Sequence, residues 1–348
     1  MPTLPKISYV LLSHNREKYI RAALESAFAQ DYEGELEYII SDDCSTDRTF
    51  EIIQECVASY KGGRRVVVTQ PACNCRTAAN FNHALSFVQS DWVVRADDDD
   101  LSAVDRCTVI AKAILQVPDC MYIATCSPFM FTDKEEEQAL ARSRVPCGNN
   151  ASIQVIDAGE TGIPPIHFSC GKYSYKAWSM KPYRLFGKLP DDGYYADDYI
   201  FYWRASVMGK GLALDNAAAV LVRSGSLNQC RGKDDNTNLI QAIIRQELFS
   251  QEYQKATISP LSETHAMLAR YVQGEAETGR RNNLLAFLSS LERSLGKKSR
   301  LSVFWSLAPW ERYKINREQG MGIAMAILRA CPLRIYAAVL AMYRIIAK

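Results

Sequence analysis

The sequence predicts an α/β protein, with a doubly wound, mostly parallel sheet followed by a mainly helical C-terminal extension. Three observations support this fold class. Short apolar runs rich in β-branched residues alternate with segments whose apolar residues recur at helical spacing. Each run stops abruptly at polar residues, as buried parallel strands do where they leave a sheet. Residues 297–348 carry interrupted apolar stretches among many basic side chains, which is typical of amphipathic helices.

The first hundred residues predict four strands joined by three helices. We expect the strands at Ile7–Leu12, Leu36–Ile40, Arg65–Thr69 and Trp92–Arg95. We expect the helices over Tyr19–Ala29, around Phe50, Ile53 and Val57, and over residues 76–89. Because crossovers between parallel strands are right-handed, this order places helices on both faces of one sheet.

Acidic residues follow two of these strands. Four consecutive carboxylates, Asp97–Asp100, follow the fourth strand and are called the acidic run below, and Asp42 and Asp43 follow the second strand. Ligands of open α/β sheets bind at the carboxyl ends of the strands. Two unit charges about 4 Å apart interact by roughly 4 kcal/mol near a protein surface, so such a run needs a cation, a basic neighbour or protonation. Carboxylate oxygens favour Mg²⁺ or Mn²⁺, and the alternative is a solvated acidic turn.

Composition and charge bound the class of protein. With 348 residues, 48% of them hydrophobic, the chain is expected to fold as a soluble globular protein, neither disordered nor fibrous. Residues 297–348 contain ten Lys or Arg and two Asp or Glu, a local charge of +8 in a chain whose total is +2. The eleven cysteines have no regular spacing and no signal peptide precedes them, so we expect structural thiols in a reducing cytoplasm.

The glycine-rich signatures of other nucleotide-binding sheets are missing. No G-x-G-x-x-G follows the first strand and no G-x-x-x-x-G-K occurs in the chain. A dinucleotide enzyme and a P-loop enzyme are therefore not expected, and nothing in the sequence indicates a nucleic-acid partner.

Three blocks of the first half resemble family 2 glycosyltransferases of the GT-A fold. They are Val10–Arg16, Ile40–Asp47 and Arg95–Leu101, which match the order and spacing of the family's blocks. Three later blocks, Phe186–Pro190, Tyr195–Ala205 and Val222–Leu227, resemble the acceptor side of bacterial members. The departures include His14 where the family usually has Tyr, Cys44 where it has Gly, Asp197 where it has Glu, and Gly225 where it has His.

The resemblance implies a division into three parts. Residues 1–116 would be the nucleotide-sugar-binding half of a GT-A domain and residues 117–230 its acceptor-binding half. Residues 231–348 would be a helical extension with a basic amphipathic tail.

The resemblance also implies a donor site at the ends of the strands. Asp43 would accept a hydrogen bond from the nucleotide base, with the main chain near Leu12 and Ser13 beside it. Arg76 would approach the nucleotide and the acidic run. Read without the resemblance, Asp43 is equally suited to cap a helix and Arg76 to lie on the surface.

Within the acidic run, the resemblance assigns Asp99 as the direct ligand of Mn²⁺ or Mg²⁺. Asp97 and Asp98 would contact the ribose and orient the ligands from outside the coordination sphere. Asp100 has the alternative of capping the following helix.

A transfer reaction also needs a base for the acceptor hydroxyl, remote from the metal. Asp198 fits that role, and the neighbouring pair Asp191 and Asp192 competes with it. Arg223 is expected to clamp the diphosphate from a flexible loop, with a solvated arginine as the alternative.

The predicted function is therefore inverting, metal-dependent transfer of a sugar. The donor would be a nucleotide-diphosphate sugar, most plausibly UDP-linked, and the acceptor a hydroxyl of a growing glycan in surface polysaccharide synthesis, as in O-antigen or capsule. A sugar nucleotidyltransferase is the alternative enzyme, but it normally has a glycine- and basic-rich loop after its first strand, which Ser13–Arg16 is not. A non-catalytic nucleotide-sugar-binding protein is the third interpretation.

The basic tail predicts a contact with a membrane surface. Arg329, Pro332 and Arg334 interrupt its apolar stretches well short of the roughly 20 residues needed to span a bilayer. Basic amphipathic helices with tryptophan lie in the interface instead, here at the inner face of the plasma membrane near a lipid-linked acceptor. The alternatives are that these helices pack on the catalytic domain or join two copies of the chain.

Overall fold

The computed structural model describes residues 3–125, 128–147, 152–161, 175–190, 197–215, 219–224, 244, 248, 251, 258–302 and 304–346. Its strands are β1 Ile7–Ser13, β2 Leu36–Asp42, β3 Val66–Thr69, β4 Trp92–Asp97, β5 Leu101–Ser102, β6 Cys120–Thr125, β7 Phe129–Phe131, β8 Ser152–Ile156, β9 Tyr175–Ser179, β10 Lys210–Asp215 and β11 Val220–Arg223. Its helices are α1 Ile20–Phe28, α2 Thr49–Ser59, α3 Arg76–Leu85, α4 Arg106–Gln116, α5 Glu136–Ser143, α6 Ala158–Thr161, α7 Lys181–Phe186, α8 Asp197–Met208, α9 Ile258–Gln273, α10 Thr278–Ser302, α11 Pro309–Glu318, α12 Ile323–Ala330 and α13 Leu333–Ile346.

Within these ranges the strands form two sheets. The larger sheet has the order β3-β2-β1-β4-β9-β6-β10-β8, and the smaller one has the order β5-β11-β7. In the larger sheet β1 to β4 are parallel, β6 and β10 are parallel to each other, and β9 and β8 run antiparallel to their neighbours. The predicted mostly parallel α/β sheet, with helices forming the C-terminal region, is confirmed.

The predicted strand and helix positions are close to those observed, and the larger differences lie at the ends. β2 and β4 continue to Asp42 and Asp97, each two residues further than predicted, so the acidic run begins inside β4. α3 ends at Leu85 rather than at residue 89, because the amides of Ser86, Phe87 and Val88 each bond to the carbonyl three residues before them and tighten the chain into a turn.

The alternating side chains of β1 contribute to two cores, one on each face of the sheet. Val10 and Leu12 pack on one face with residues of α3, α8 and α10, whereas Tyr9 and Leu11 pack on the other with residues of α1, α2 and α4. Because successive strand residues point to opposite faces, a slip of one residue would exchange the two sets, and the burial of both fixes the register.

An aromatic stack joins the two halves of the chain. The fully buried Trp178 of β9 stacks on Phe201 of α8 with ring centroids 4.6 Å apart, and lies 5.7 Å from Phe81 of α3. Removal of so large a buried side chain typically costs about 3–5 kcal/mol. The stack therefore fixes α8 against α3.

The first part of the C-terminal extension belongs to the same core. Leu284, Phe287 and Leu291 of α10 are fully buried with the residues of α3 and α8, and Phe287 packs 4.8 Å from the ring of Trp203. The later helices α12 and α13 form a smaller apolar cluster around Tyr336, which includes Ile244 and Trp305. The predicted division at residues 116 and 230 stays a prediction.

Candidate active site

Two of the predicted donor-side blocks and the start of the acidic run meet at one edge of the larger sheet. β1 lies between β2 and β4, with Ser13 opposite Asp42 and Leu12 opposite Asp97. The amide of Asp43 donates to the carbonyl of Ser13 at 2.8 Å. These residues therefore lie together where open α/β sheets bind their ligands.

Asp43 holds the N-terminus of α3. Its buried carboxylate accepts the backbone N–H of Cys75 on Oδ1 and that of Arg76 on Oδ2, both at 2.8 Å. The Cys75 thiol lies 3.3 Å from Oδ1, and burial together with Asp43 raises the pKa of this thiol to about 12, so it stays protonated. Since an ionised carboxylate has about four acceptor positions, one position remains for a ligand. The Arg76 side chain is exposed in the first turn beside it.

The backbone is strained at the same edge. Among the described residues, the non-glycine residues with positive φ are Asn15 at 52°, Cys44 at 54° and Arg76 at 70°. Each such residue costs on the order of 1 kcal/mol, and strained positions of this kind concentrate at ligand sites. The left-handed φ of Cys44 is one that glycine adopts without strain, in keeping with the glycine of the motif that this block resembles.

His14 connects the three strand ends. Its amide donates to Oδ2 of Asp98 at 3.0 Å, and its ring Nδ1 lies 2.9 Å from the carbonyl oxygen of Asp43. A carbonyl oxygen only accepts, so Nδ1 carries the proton. Asn74 donates to the same carbonyl at 3.1 Å. Sequence reasoning treated His14 only as a departure from the family, because a bond made through a backbone amide leaves no signal in residue type.

Asp98 is the buried member of the acidic run. Its Oδ1 lies 3.4 Å from Nε of Arg16, and its Oδ2 is held by the His14 amide. Burial, reinforced by the charge of Asp99, raises the pKa of Asp98 to about 7. The pKa rises because burial removes water from the carboxylate and Asp99 repels it, and a cation bound beside Asp99 would oppose both effects.

The other acids of the run have different surroundings. The Asp97 side chain is 43% exposed, with an oxygen 3.6 Å from Nη2 of Arg95. Oδ2 of Asp99 lies 3.7 Å from Nε of Arg16, beyond hydrogen-bond distance. Asp100 is turned toward the smaller sheet, where its Oδ1 accepts the backbone N–H of Arg223 at 2.9 Å.

The donor set at this edge suits a cation shared with a ligand. In the part of the chain that the structure describes, no group of three or more His, Cys, Asp or Glu is arranged to hold a metal ion by itself. Mg²⁺ and Mn²⁺ sites of nucleotide enzymes use one or two carboxylates and complete the shell with phosphate oxygens and water. Asp99, with Asp97 beside it, fits that pattern.

Asp198, the predicted base, lies in the first turn of α8, and its side chain lies outside the part that the structure describes. Asp191, Asp192 and residues 225–227 of the block Val222–Leu227 lie outside it as well.

The segment before α8 is fixed at two points. Asn82 of α3 donates from Nδ2 to the carbonyl of Leu189 at 2.7 Å and accepts the Leu189 N–H on Oδ1 at 2.9 Å. The buried Arg204 of α8 donates to the carbonyls of Gly187 and Lys188 at 3.0 and 3.1 Å. Sequence reasoning missed Asn82, because a lone asparagine in a helix gives no sign of a partner about a hundred residues away.

The predicted loop position of Arg223 is wrong. Arg223 is the last residue of β11, and its side chain is 1% exposed and paired with Asp133 and Glu136. The apolar residues Val220–Val222 extend the chain into a strand between β5 and β7, which draws the arginine into the interior.

Comparison with known proteins finds similarity in the N-terminal part of the chain. Residues 8–165 match the family described as Glycosyl transferase family 2. The chain is 38% identical over 98 residues to a putative glycosyltransferase, EpsE, of Bacillus subtilis, which covers 28% of this chain and 34% of EpsE. It is 30% identical over 135 residues to an uncharacterized glycosyltransferase of Haemophilus influenzae, covering 39% of this chain and 51% of the relative.

Solved structures extend the likeness of fold to nearly the whole chain. The crystal structure of residues 1–349 of Staphylococcus aureus TarS in complex with UDP-GlcNAc superposes with a TM-score of 0.51 at 16% identity, covering 97% of this chain and 91% of that one. Over 97 residues the sequence is 33% identical to TarS, named a poly(ribitol-phosphate) beta-N-acetylglucosaminyltransferase, which covers 27% of this chain and 16% of that protein. The predicted GT-A fold is confirmed, and the chain spans about a third of the length of EpsE.

Proposed function

We propose that the protein is an inverting, metal-dependent glycosyltransferase, because residues 8–165 match the family Glycosyl transferase family 2. It would move a sugar from a nucleotide-diphosphate sugar to a hydroxyl of a growing glycan. The observation that carries this proposal is the meeting of the ends of β1, β2 and β4, which brings Asp43 and the acidic run to one edge beside the start of α3.

The proposed donor is UDP-linked. The acceptor position left on the Asp43 carboxylate suits the imide N–H of uracil, and the main chain of Leu12 and Ser13 borders it. The exposed Arg76 is placed to approach the nucleotide from the first turn of α3. The structural neighbour TarS was solved with UDP-GlcNAc, which supports the same donor class.

Asp99 would hold Mn²⁺ or Mg²⁺ with oxygens of the diphosphate. The bound cation supplies a Lewis acid that stabilises the leaving diphosphate. The partly exposed Asp97 would contact the ribose, and Asp98, held by the His14 amide, would fix the direction of the turn that carries Asp99.

Asp198 would take the proton from the acceptor hydroxyl, so that the oxygen attacks the anomeric carbon opposite the leaving group and inverts it. Its support is the position of α8, whose Phe201 stacks on Trp178 and lies 6.3 Å from the ring of Phe81 on α3, in the predicted donor half.

The proposed acceptor is a glycan of surface polysaccharide synthesis, and the similarity to TarS, named for transfer of N-acetylglucosamine to poly(ribitol-phosphate), supports a polymeric acceptor. A panel of nucleotide sugars with Mn²⁺ or Mg²⁺, scored by nucleotide release and thermal shift, tests the whole proposal. We expect one UDP-sugar to stabilise the protein and to be turned over only with metal and a glycan acceptor. Stabilisation without turnover for any acceptor tried would favour the non-catalytic binding protein, and formation of a nucleotide sugar from a sugar phosphate would favour the nucleotidyltransferase.

A contact with the inner face of the plasma membrane, where a lipid-linked acceptor would lie, is part of the proposal. Among the described residues, no helix is both long and apolar enough to cross a bilayer. Four apolar side chains of α11–α13 are each more than half exposed: Trp310, Ile323, Ile327 and Ile335. They lie in the segment with a net charge of +8, which suits an anionic lipid surface.

Sedimentation with vesicles tests the membrane contact. Ile323 and Ile327 lie one turn apart on α12, so Ile323→Asp combined with Ile327→Asp should release the protein from phosphatidylglycerol vesicles. Val155→Asp, at an exposed apolar position of β8, is the matched control and should bind like the wild type. The contact would be refuted if the double variant sedimented with phosphatidylglycerol vesicles as well as the wild type does. It would also be refuted if the wild type bound neutral phosphatidylcholine vesicles as well as phosphatidylglycerol vesicles. A change from dimer to monomer in light scattering would instead assign these helices to a contact between two copies.

A further inference from the structure

Arg223 makes an unusual set of contacts for a buried cation. Its guanidinium lies between the rings of Tyr19, 4.4 Å away, and Phe131, 4.6 Å away. Its Nη1 donates to Oδ1 of Asp133 at 2.8 Å and to Oε2 of Glu136 at 2.9 Å. Two carboxylates thus bond to one guanidinium, although Asp133 also pairs with Lys18, and two ring faces enclose the guanidinium.

Two further contacts of Arg223 are made to the acidic run. Its Nε donates to the carbonyl oxygen of Asp99 at 3.1 Å, and its backbone N–H donates to Oδ1 of Asp100 at 2.9 Å. The register of the smaller sheet explains the approach. Leu221 pairs antiparallel with Leu101, and the continuation of that pairing sets Arg223 opposite Asp99.

These contacts argue against the diphosphate clamp predicted for Arg223. A residue that binds a phosphate needs guanidinium hydrogens directed at solvent or ligand, whereas this side chain is 1% exposed and bonds to two acids. The two contacts to the acidic run fix the main chain at Asp99 and the side chain at Asp100, on both sides of the peptide bond that joins them.

We propose that Arg223 is a positioning residue, which holds the Asp99–Asp100 turn from the smaller sheet so that the Asp99 carboxylate is directed at the cation. It acts through Asp99 and does not touch the substrate. The inference rests on the proposed function, because it assumes that Asp99 is the metal ligand. An outer partner of this kind typically changes metal affinity by 10–100-fold when it is lost.

Arg223→Lys separates this role from simple charge balance. A lysine keeps the positive charge near Asp133 and Glu136, but it cannot donate at the same time to the Asp99 carbonyl from a fixed fork. Arg142→Lys is the matched control, since Arg142 stacks on Phe129 of the same sheet at 4.5 Å without a described contact to the acidic run. Glu136→Gln is a milder second variant, which weakens the anchor on the far side of the guanidinium and serves if Arg223→Lys does not fold.

The experiment measures Mn²⁺ binding to the full chain by electron paramagnetic resonance of free Mn²⁺, with UDP present, and UDP affinity without metal by calorimetry. We expect Arg223→Lys to weaken Mn²⁺ binding by about tenfold or more. Glu136→Gln should weaken it by less, and Arg142→Lys should leave it unchanged. UDP affinity without metal should stay within about twofold of the wild type in every variant, because no variant touches the nucleotide edge.

Unchanged Mn²⁺ affinity in both Arg223→Lys and Glu136→Gln would overturn the positioning role. Loss of metal-free UDP affinity in Arg223→Lys would overturn it too, in favour of direct contact with the diphosphate. A wild type that binds neither Mn²⁺ nor UDP would refute the proposed function itself, which is a different result from a wild type that binds both while its variants do not differ.

Discussion

Asn82 offers the sharpest test of how the two halves of the site are joined. Its side chain is buried on α3 and exchanges two hydrogen bonds with the backbone of Leu189, itself buried. Asn82→Ala removes both partners and leaves a backbone N–H and a backbone carbonyl without partners in the interior. Because the Leu189 segment leads toward α8, the change should disturb both stability and transfer.

The expected magnitude follows from the two orphaned groups. Each buried group left without a partner costs about 1–3 kcal/mol, and water that enters the space of the lost side chain recovers part of this. We therefore expect the free energy of unfolding to fall by about 2–4 kcal/mol. For a chain of 348 residues that corresponds to a fall in Tm of about 3–6 °C.

Asn82→Asp is a matched variant with a distinct pH signature. The introduced carboxyl keeps the oxygen that accepts the Leu189 N–H, but when ionised it faces the Leu189 carbonyl with an acceptor. Burial and that repulsion raise its pKa in the folded state above the unfolded value of about 3.9. The folded state then prefers the protonated form, so the loss of stability is small below about pH 4 and grows as the pH rises toward the folded pKa.

The assay is urea unfolding of the wild type and both variants from pH 4 to pH 8, together with turnover and UDP affinity. Turnover should fall while UDP affinity stays within about twofold, because the start of α3 keeps its bonds to Asp43. The reasoning is refuted if Asn82→Ala has the same free energy of unfolding in urea as the wild type. It is also refuted if the relative stability of Asn82→Asp is independent of pH, or if UDP affinity falls as far as turnover.

Three further variants test the roles assigned to single residues. Asp99→Ala should lower nucleotide release by about 10² or more and abolish the effect of Mn²⁺ on UDP binding, and a wild-type rate unaffected by EDTA would contradict the metal assignment. Asp198→Asn should keep donor binding while transfer falls by about 10² or more, whereas near-normal transfer there and loss in Asp192→Asn would move the base to the earlier pair. Cys44→Gly should be more stable in urea than Cys44→Ala by about 1 kcal/mol, since only glycine is relaxed at a φ of 54°; equal stability would show that this backbone is not strained.

The local sequence pattern was sufficient to predict the elements of the first hundred residues. The alternation of apolar runs and helical spacing predicts β1 to β4 with their helices, because each of these elements carries its own periodic signal. The acidic run was recognisable at a strand end for the same reason. The helix ends were less certain, since α3 stops at Leu85 through a turn made by backbone bonds that side-chain pattern does not encode.

Contacts between distant segments were not predictable in the same way. The smaller sheet is made of strands of two to four residues, too short to show a period, and β5 pairs with β11 across more than a hundred residues. Arg223 was therefore placed on a loop although it ends a strand. For Asp43 the sequence offered two interpretations, a helix cap and a contact of the nucleotide base, and its observed bonds are compatible with both. It holds the start of a helix that is not the next one in the chain, and it keeps an acceptor position.

α3 has a mechanical consequence for the coupling of donor and acceptor. Asp43 accepts a hydrogen bond from Arg76 in the first turn of α3, and Asn82 bonds to the backbone of Leu189. Arg76 and Asn82 are six residues apart, about 9 Å along the helix axis at 1.5 Å per residue. A helix of this length is stiff, so a tilt of its start carries the Leu189 segment with it. The position of the proposed nucleotide site and the position of the chain before α8 therefore change together. A substitution that adapts one of them to a new ligand is expected to shift the other as well.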